Sequence, residues 1–251
     1  MTTTNKLSDT WATLQLEKGE SAVRSFGPLL LQIERRPAEW RIRRERSDGT
    51  NGTPAMGDEL VRVATSSTTA ELSFHPMLAD RPVVAHPAVP VAVLPGEEVR
   101  FFVSTPLSVQ IRVGGTAVLA EVATVRLSDT WFGPDTRTGV LCYASSTGAH
   151  TEVDGLSKTD VRAKTTILLK NRGVEHFPIH RIQIPAPHLS LFADATNGIW
   201  TEELVLNRTR DGSANEGTPR KPTTAGTLEQ IESPRREAPR GFLRTVGGIF
   251  Q

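Results

Sequence analysis

The sequence predicts a mainly β protein of antiparallel sandwich type, one large or two packed sandwiches, with a disordered C-terminal tail. Three observations carry this. Apolar residues fall in short alternating runs, and no stretch sustains a 3.6-residue period. Glycine (20) and proline (17) recur between those runs, the profile of many short strands joined by turns. From Thr209 to Arg240 large apolar residues become scarce, and such a stretch buries too little surface to offset its ordering entropy.

The first strand pair is Leu29 to Arg35 and Glu39 to Arg43, joined by Arg36-Pro37-Ala38. Trp40 and Ile42 alternate with Arg41 and Arg43, as on a half-buried strand. A surface loop follows at Ser47 to Pro54, then short strands around Leu60 to Val63 and Glu71 to His75. Prolines 82, 87, 90 and 95 punctuate Arg81 to Gly96 and predict an extended edge segment, because each removes a ladder donor. Glu98 to Ser104 reads as a strand. Leu107 to Val122 reads as a hairpin around Gly114-Gly115, with Ile111 opposite Val118 and Val109 opposite Ala120. Later strands fall at Gly139 to Ala144, Ala163 to Lys170, Ile179 to Ile184, His188 to Ala193 and Ile199 to Asn207, with a short helix near Leu156 to Val161. The expected core comprises Leu31, Ile33, Trp40, Ile42, Phe102, Ile111, Val118, Leu141, Leu168, Ile182, Leu191 and Trp200.

The expected organisation is an N-terminal segment (1–20), a β-sandwich region (21–208) with halves near 21–126 and 127–208, a disordered linker (209–240) and an apolar docking peptide (241–251). Leu-Ser-Asp-Thr-Trp occurs twice, at Leu7 to Trp11 and Leu127 to Trp131, but the flanks do not continue the match.

The formal charge of +1 points to no nucleic-acid partner. One cysteine allows neither an intrachain disulfide nor a cysteine-based zinc site. The first residues lack a signal-peptide core and no apolar run approaches a membrane helix, so a cytoplasmic protein is expected. Asn51-Gly52-Thr53 and Asn207-Arg208-Thr209 match the glycosylation sequon and read as loop residues.

Candidate chemistry is sparse. His176 and His180 flank Pro178, and on a strand they lie about 13 Å apart, too far to share one ion. Cys142 sits in an apolar strand with no local activating base. Asp129, Asp135 and Asp154 read as turn or capping residues. The six arginines between Arg35 and Arg46 are interleaved with Glu39 and Glu45 and read as a solvated edge. No phosphate loop, dinucleotide fingerprint, nucleophile elbow or zinc-protease helix is present.

Thr130-Trp131-Phe132-Gly133, followed by Gly139 to Ala144, resembles a signature of an uncharacterised family, domain of unknown function 432. Arg81-Pro82-Val83-Val84, Pro187 to Phe192 and Ile199 to Glu202 are similar to other blocks of that family. The resemblance spans residues 10 to 207 and excludes the tail. It implies no established activity and no catalytic residues. Some bacterial members occur beside mechanosensitive channels, which implies a membrane-protein partner.

The functional expectation is a non-enzymatic binding or accessory protein, with no cofactor and no metal. Its partner-binding residues are Phe242, Leu243, Val246, Ile249 and Phe250, which dock on a partner protein or on another copy of this chain, the competing reading being that the peptide packs back on its own domain. Two alternatives stand beside it. One is a hydrolase or metal enzyme with a site built from distant loops, using His150 with Asp154 or His176 with His180. The other is a structural subunit of a particle or phage.

Overall fold

A computed structural model describes residues 7–47, 59–66, 68–87, 89–133, 137, 139–156, 159–208, 214–216, 219–222 and 227–237. The chain is mainly β, and it divides into two compact units that interleave along the sequence. Unit one takes Met1–Met77, Pro106–Arg126 and Thr159–Val161; unit two takes Leu78–Thr105, Leu127–Lys158 and Arg162–Gln251. The expected halves therefore share the boundary near residue 126, but neither is continuous.

In chain order, unit one opens with β1 (Leu14–Gln15), β2 (Ser21–Phe26), β3 (Leu29–Arg35), β4 (Glu39–Arg46), β5 (Glu59–Ala64) and β6 (Glu71–Met77). The chain then makes β7 (Val83–Pro87), β8 (Val91–Val93) and β9 (Glu98–Pro106), and returns for β10 (Ser108–Val113) and β11 (Ala117–Ala123). Unit two resumes with β12 (Ser128–Phe132) and β13 (Val140–His150), then β14 (Arg162–Asn171), β15 (Phe177–Ile179), β16 (Ile182–Ile184) and β17 (Leu191–Ala193). It continues through β18 (Ile199–Trp200), β19 (Leu204–Arg208), β20 (Ala214–Glu216) and β21 (Glu229–Glu232). Among the described residues, no helix is long and apolar enough to cross a membrane.

Unit one is a sandwich of two four-stranded antiparallel sheets, β2-β3-β4-β5 and β1-β6-β10-β11. Leu29, Leu31 and Ile33 alternate inward along β3, and Ile33 lies opposite Ile42 on β4, as the sequence predicts. Phe26 joins the layers, 5.2 Å from the Trp11 ring and 5.4 Å from Phe74. The distant piece 159–161 belongs here through Asp160: its carboxylate accepts from Ser8 and Thr10, each at 2.6 Å, and its carbonyl from the Trp11 indole at 3.0 Å.

The hairpin differs from expectation. Its turn holds three residues, Gly114 to Thr116, with φ of +59° and +80° at the two glycines. Val113 then pairs with Ala117, and a bulge between Ile111 and Arg112 sets Ile111 opposite Ala120. The slip turns Val118 outward, 53% exposed, while Leu119 and Val122 are buried.

Unit two holds an eleven-stranded sheet and a separate β8–β15 pair. Most pairs are antiparallel; β7–β13, β14–β18 and β14–β19 are parallel. β7 is interior, between β13 and β16, and not the expected edge. Its prolines explain this: Pro82 precedes the strand and Pro87 closes it, so Val83, Val84 and Ala85 keep their donors. Phe101 and Val103 are buried in place of Phe102, and Cys142 in place of Leu141, each one residue from the expected core position. The remaining predicted core residues are buried. Leu156 follows a three-residue 3₁₀ turn, Val153–Gly155, where a short helix was expected.

The repeated pentapeptide adopts two structures. Asp9–Trp11 forms a 3₁₀ turn with Trp11 buried, whereas Ser128–Phe132 is strand β12 with Trp131 exposed. It marks no duplication.

Parts of the stretch expected to be a disordered linker are placed on the sheet. β20 pairs with β19, Arg220 bridges to Glu203, and β21 pairs with β17. Backbone pairing to sheet edges orders these pieces without the large apolar surface that composition would demand.

Candidate functional site

Three of the family-like blocks, on β7, β12 and β13, meet in unit two. β12 and β13 form the frame there, because Gly133 and Gly139 let the two strand ends cross closely. Gly133 has φ +142°, and a Cβ there would lie 2.5 Å from Gly139 Cα. The register sets Trp131 opposite Leu141 and Asp129 opposite Tyr143, which puts those four side chains on one face. β7 supplies the third side, with Val83 opposite Tyr143, and the Tyr143 amide donates to Pro82 O at 2.8 Å.

Arg81 stacks on Tyr143 at 5.2 Å and pairs with Asp129 at 2.9 Å. The Tyr143 hydroxyl donates to Asp80 at 2.9 Å. Burial pushes the phenol pKa up, and the bond to Asp80 adds to that, so the hydroxyl keeps its proton. Arg181 lies 5.2 Å over Phe132 and donates to Trp131 O at 3.1 Å. Beneath the face, Val84, Phe132 and Cys142 form a buried apolar cluster. Gln183 donates to Cys142 Sγ at 3.2 Å, and burial raises the thiol pKa. Trp131 and Val140 remain 43% and 42% exposed.

Chemically, this face offers flat aromatic surface, one guanidinium group and two carboxylates, with the phenol held protonated, while Arg181 lies over Phe132 on the other side of β12.

The candidates read from the sequence form no three-ligand metal group among the described residues. His150 lies at the end of β13, its ring against Gly148 and Gly155, where added Cβ atoms would sit 2.8 and 2.7 Å from ring nitrogens. Asp154 lies in the neighbouring 3₁₀ turn. His176 and His180 flank β15, which separates them along an extended strand. His75 contacts Ser73 at 3.0 Å and Arg112 at 3.2 Å. Among the described residues, no three His, Cys, Asp or Glu are grouped to hold a metal ion. Asp135 and the peptide residues Phe242, Leu243, Val246, Ile249 and Phe250 lie outside the described residues.

The arginine-rich stretch is divided. Arg41 and Arg62 share Glu39, whose carboxyl is held below its ordinary pKa by hydrogen bonds from Arg62 and then Arg41. Arg35 turns inward instead. An open depression of about 280 Å³ lies on the β2–β5 sheet, lined by Ser21, Val23, Gln32, Glu34, Arg43 and others.

The sequence places Trp131, Tyr143 and Arg81 in family-like blocks without joining them and reads Cys142 as a buried strand residue; Asp80 and Arg181 carry no signal in it. One signal was available: Tyr143 is the single tyrosine of the chain.

Fold and face together define a β-sheet protein whose most developed surface is an aromatic–arginine face. A family model described as protein of unknown function (DUF432) matches residues 10–249, and the chain belongs to that family. The match runs 42 residues beyond the expected end of the resemblance at 207 and takes in the C-terminal stretch. No curated protein and no solved structure matches the chain.

Proposed function

We propose that this is a non-enzymatic binding or accessory protein, a cytoplasmic β scaffold whose C-terminal peptide docks on a partner protein. The observation that carries the reading is the strap before that peptide. β21 pairs with β17, Arg235 donates to Leu78 O, and the Arg236 amide donates to Pro187 O at 2.9 Å. His188 Nδ1 lies 3.2 Å from the carbonyls of both Arg236 and Glu237. The strap delivers the peptide from a fixed point, and the eleven residues from Gly241 carry Phe242, Leu243, Val246, Ile249 and Phe250. An apolar segment of that kind calls for a covering surface. A membrane channel is one partner the family resemblance implies.

The experiment deletes Gly241 to Gln251. On this reading the melting temperature holds while partner capture from the native cell is lost. Unchanged capture would sink the role of the peptide, and stoichiometric zinc, iron or manganese in purified protein would favour the metal-enzyme alternative.

A further inference from the structure

We infer that in the partner-free protein the C-terminal peptide folds back onto the Trp131–Leu141 face of its own chain, so that self-docking and partner docking compete. The inference rests on the proposed docking role of the peptide.

The strap sets the geometry. An untethered linker over 209–240 would give a root-mean-square reach of about 30 Å. Anchorage through Glu237 leaves only residues 238–251, whose reach falls to about 20 Å. Phe242 is five residues past the anchor and stays within about 18 Å of it even when fully extended. The anchor also stands beside the face. Arg235 is bonded to Leu78 O, and Asp80 and Arg81, two and three residues on, contact Tyr143 and Asp129.

The surfaces match in chemistry. The face exposes Trp131, with half-buried Leu141 opposite it. The peptide brings five large apolar side chains and one internal charge, Arg244, against an Asp129 side chain that is 60% exposed. The peptide has no acidic residue to oppose Asp80 and Asp129. The family match runs through residue 249 and so takes in Phe242, Leu243, Val246 and Ile249 of the peptide. Arg181 caps Trp131 O at the outer edge of β12, which opposes strand addition there and leaves the side-chain face as the seat.

Hydrogen exchange on the full chain tests this without any partner. In the wild type, amides 241–251 are expected to exchange at least tenfold more slowly than in the same peptide free in solution. Trp131→Asp, at an exposed position, should abolish that protection with the melting temperature unchanged. Reciprocally, Phe242→Asp with Phe250→Asp should speed exchange across residues 128–132 and shift tryptophan emission to the red. Free-peptide exchange rates in the wild type would overturn the inference. So would protection that survives Trp131→Asp, or a β12 unmoved by the tail variants should Trp131→Asp fail to fold. Protection that grows with protein concentration alongside a dimer on sizing would also overturn it, in favour of a second copy. Any of these results with partner capture still dependent on the peptide leaves the proposed function standing.

Discussion

Arg35 is 3% exposed, yet its guanidinium is fully engaged. Nη1 donates to Leu16 O and Nη2 to Thr68 O, both at 2.8 Å, and the group lies 5.4 Å over the Trp40 ring. Arg35→Met leaves two carbonyls without their donor and should cost about 2–4 kcal/mol in urea unfolding. Arg35→Lys should recover little, since one ammonium cannot span both acceptors. The sequence has six arginines between Arg35 and Arg46, and strand alternation assigns a face but not a long-range acceptor. That is why Arg41 was legible as a solvated edge residue and Arg35 was not. Asp194 gives a pH-dependent test. Burial pushes its carboxyl up, but bonds from Thr196, Trp200 and Gly198 outweigh this and hold the pKa below its ordinary value. Its stabilisation is therefore present above the ordinary aspartate range and lost as pH falls through the depressed value. Asp194→Asn should flatten the acid limb of a stability–pH profile. Cys142 has the opposite sign: burial raises its pKa, so its contribution is lost as pH rises past the ordinary thiol range. A thiol reagent should label it slowly in native protein and fast after denaturation.

Turns separate what was readable in the elements from what was not. The β3–β4 pairing was legible because Pro37 fixes a short link and Trp40 and Ile42 declare the inward face. The β10–β11 hairpin was legible as an element, but its register was not, since Gly-Gly-Thr supports both a two-residue and a three-residue turn. β7 was misassigned because prolines were counted along the segment rather than placed at its two ends. β21 carries almost no apolar signal; only the exposed edge of β17 explains it. Two glycine substitutions should behave differently. Gly115→Ala meets open space and pays only for φ +80°, about 1–2 kcal/mol by thermal or urea unfolding. Gly133→Ala drives a Cβ into Gly139 backbone and should cost about 4 kcal/mol or more, or leave the protein insoluble. The strand residues of the aromatic–arginine face, Trp131 and Tyr143, were legible only as parts of one family-like signature. Arg81 joins it across 48 residues and Arg181 reaches the Trp131 carbonyl across 50, juxtapositions that only the fold makes.

Across the whole chain, a boundary near residue 126 invites expression of 21–126 and 127–208 as separate pieces. Both should fail to fold, shown by poorly dispersed amide spectra, because unit one lacks 159–161 and unit two lacks 78–105 when cut there. The full chain should give a dispersed β spectrum. The cut also shows why composition could find two halves but not their membership: nothing in the sequence of Asp160 or Val161 advertises an allegiance to Trp11. That allegiance has a consequence for biosynthesis. Val161 O receives the Leu107 amide at 3.0 Å, Asp160 O receives the Trp11 indole, and Val161 Cγ2 packs where a Cβ on Gly27 would stand. Small domains commonly fold N-terminus first as they leave the ribosome. Here the N-terminal unit cannot close until residue 161 has cleared the exit tunnel, by which time β7 to β9, β12 and β13 of the other unit are already outside. The nascent chain must therefore carry two unfinished sheets at once, and a chaperone or a slowed codon stretch between residues 126 and 161 would act at the stage when both are most open to mispairing.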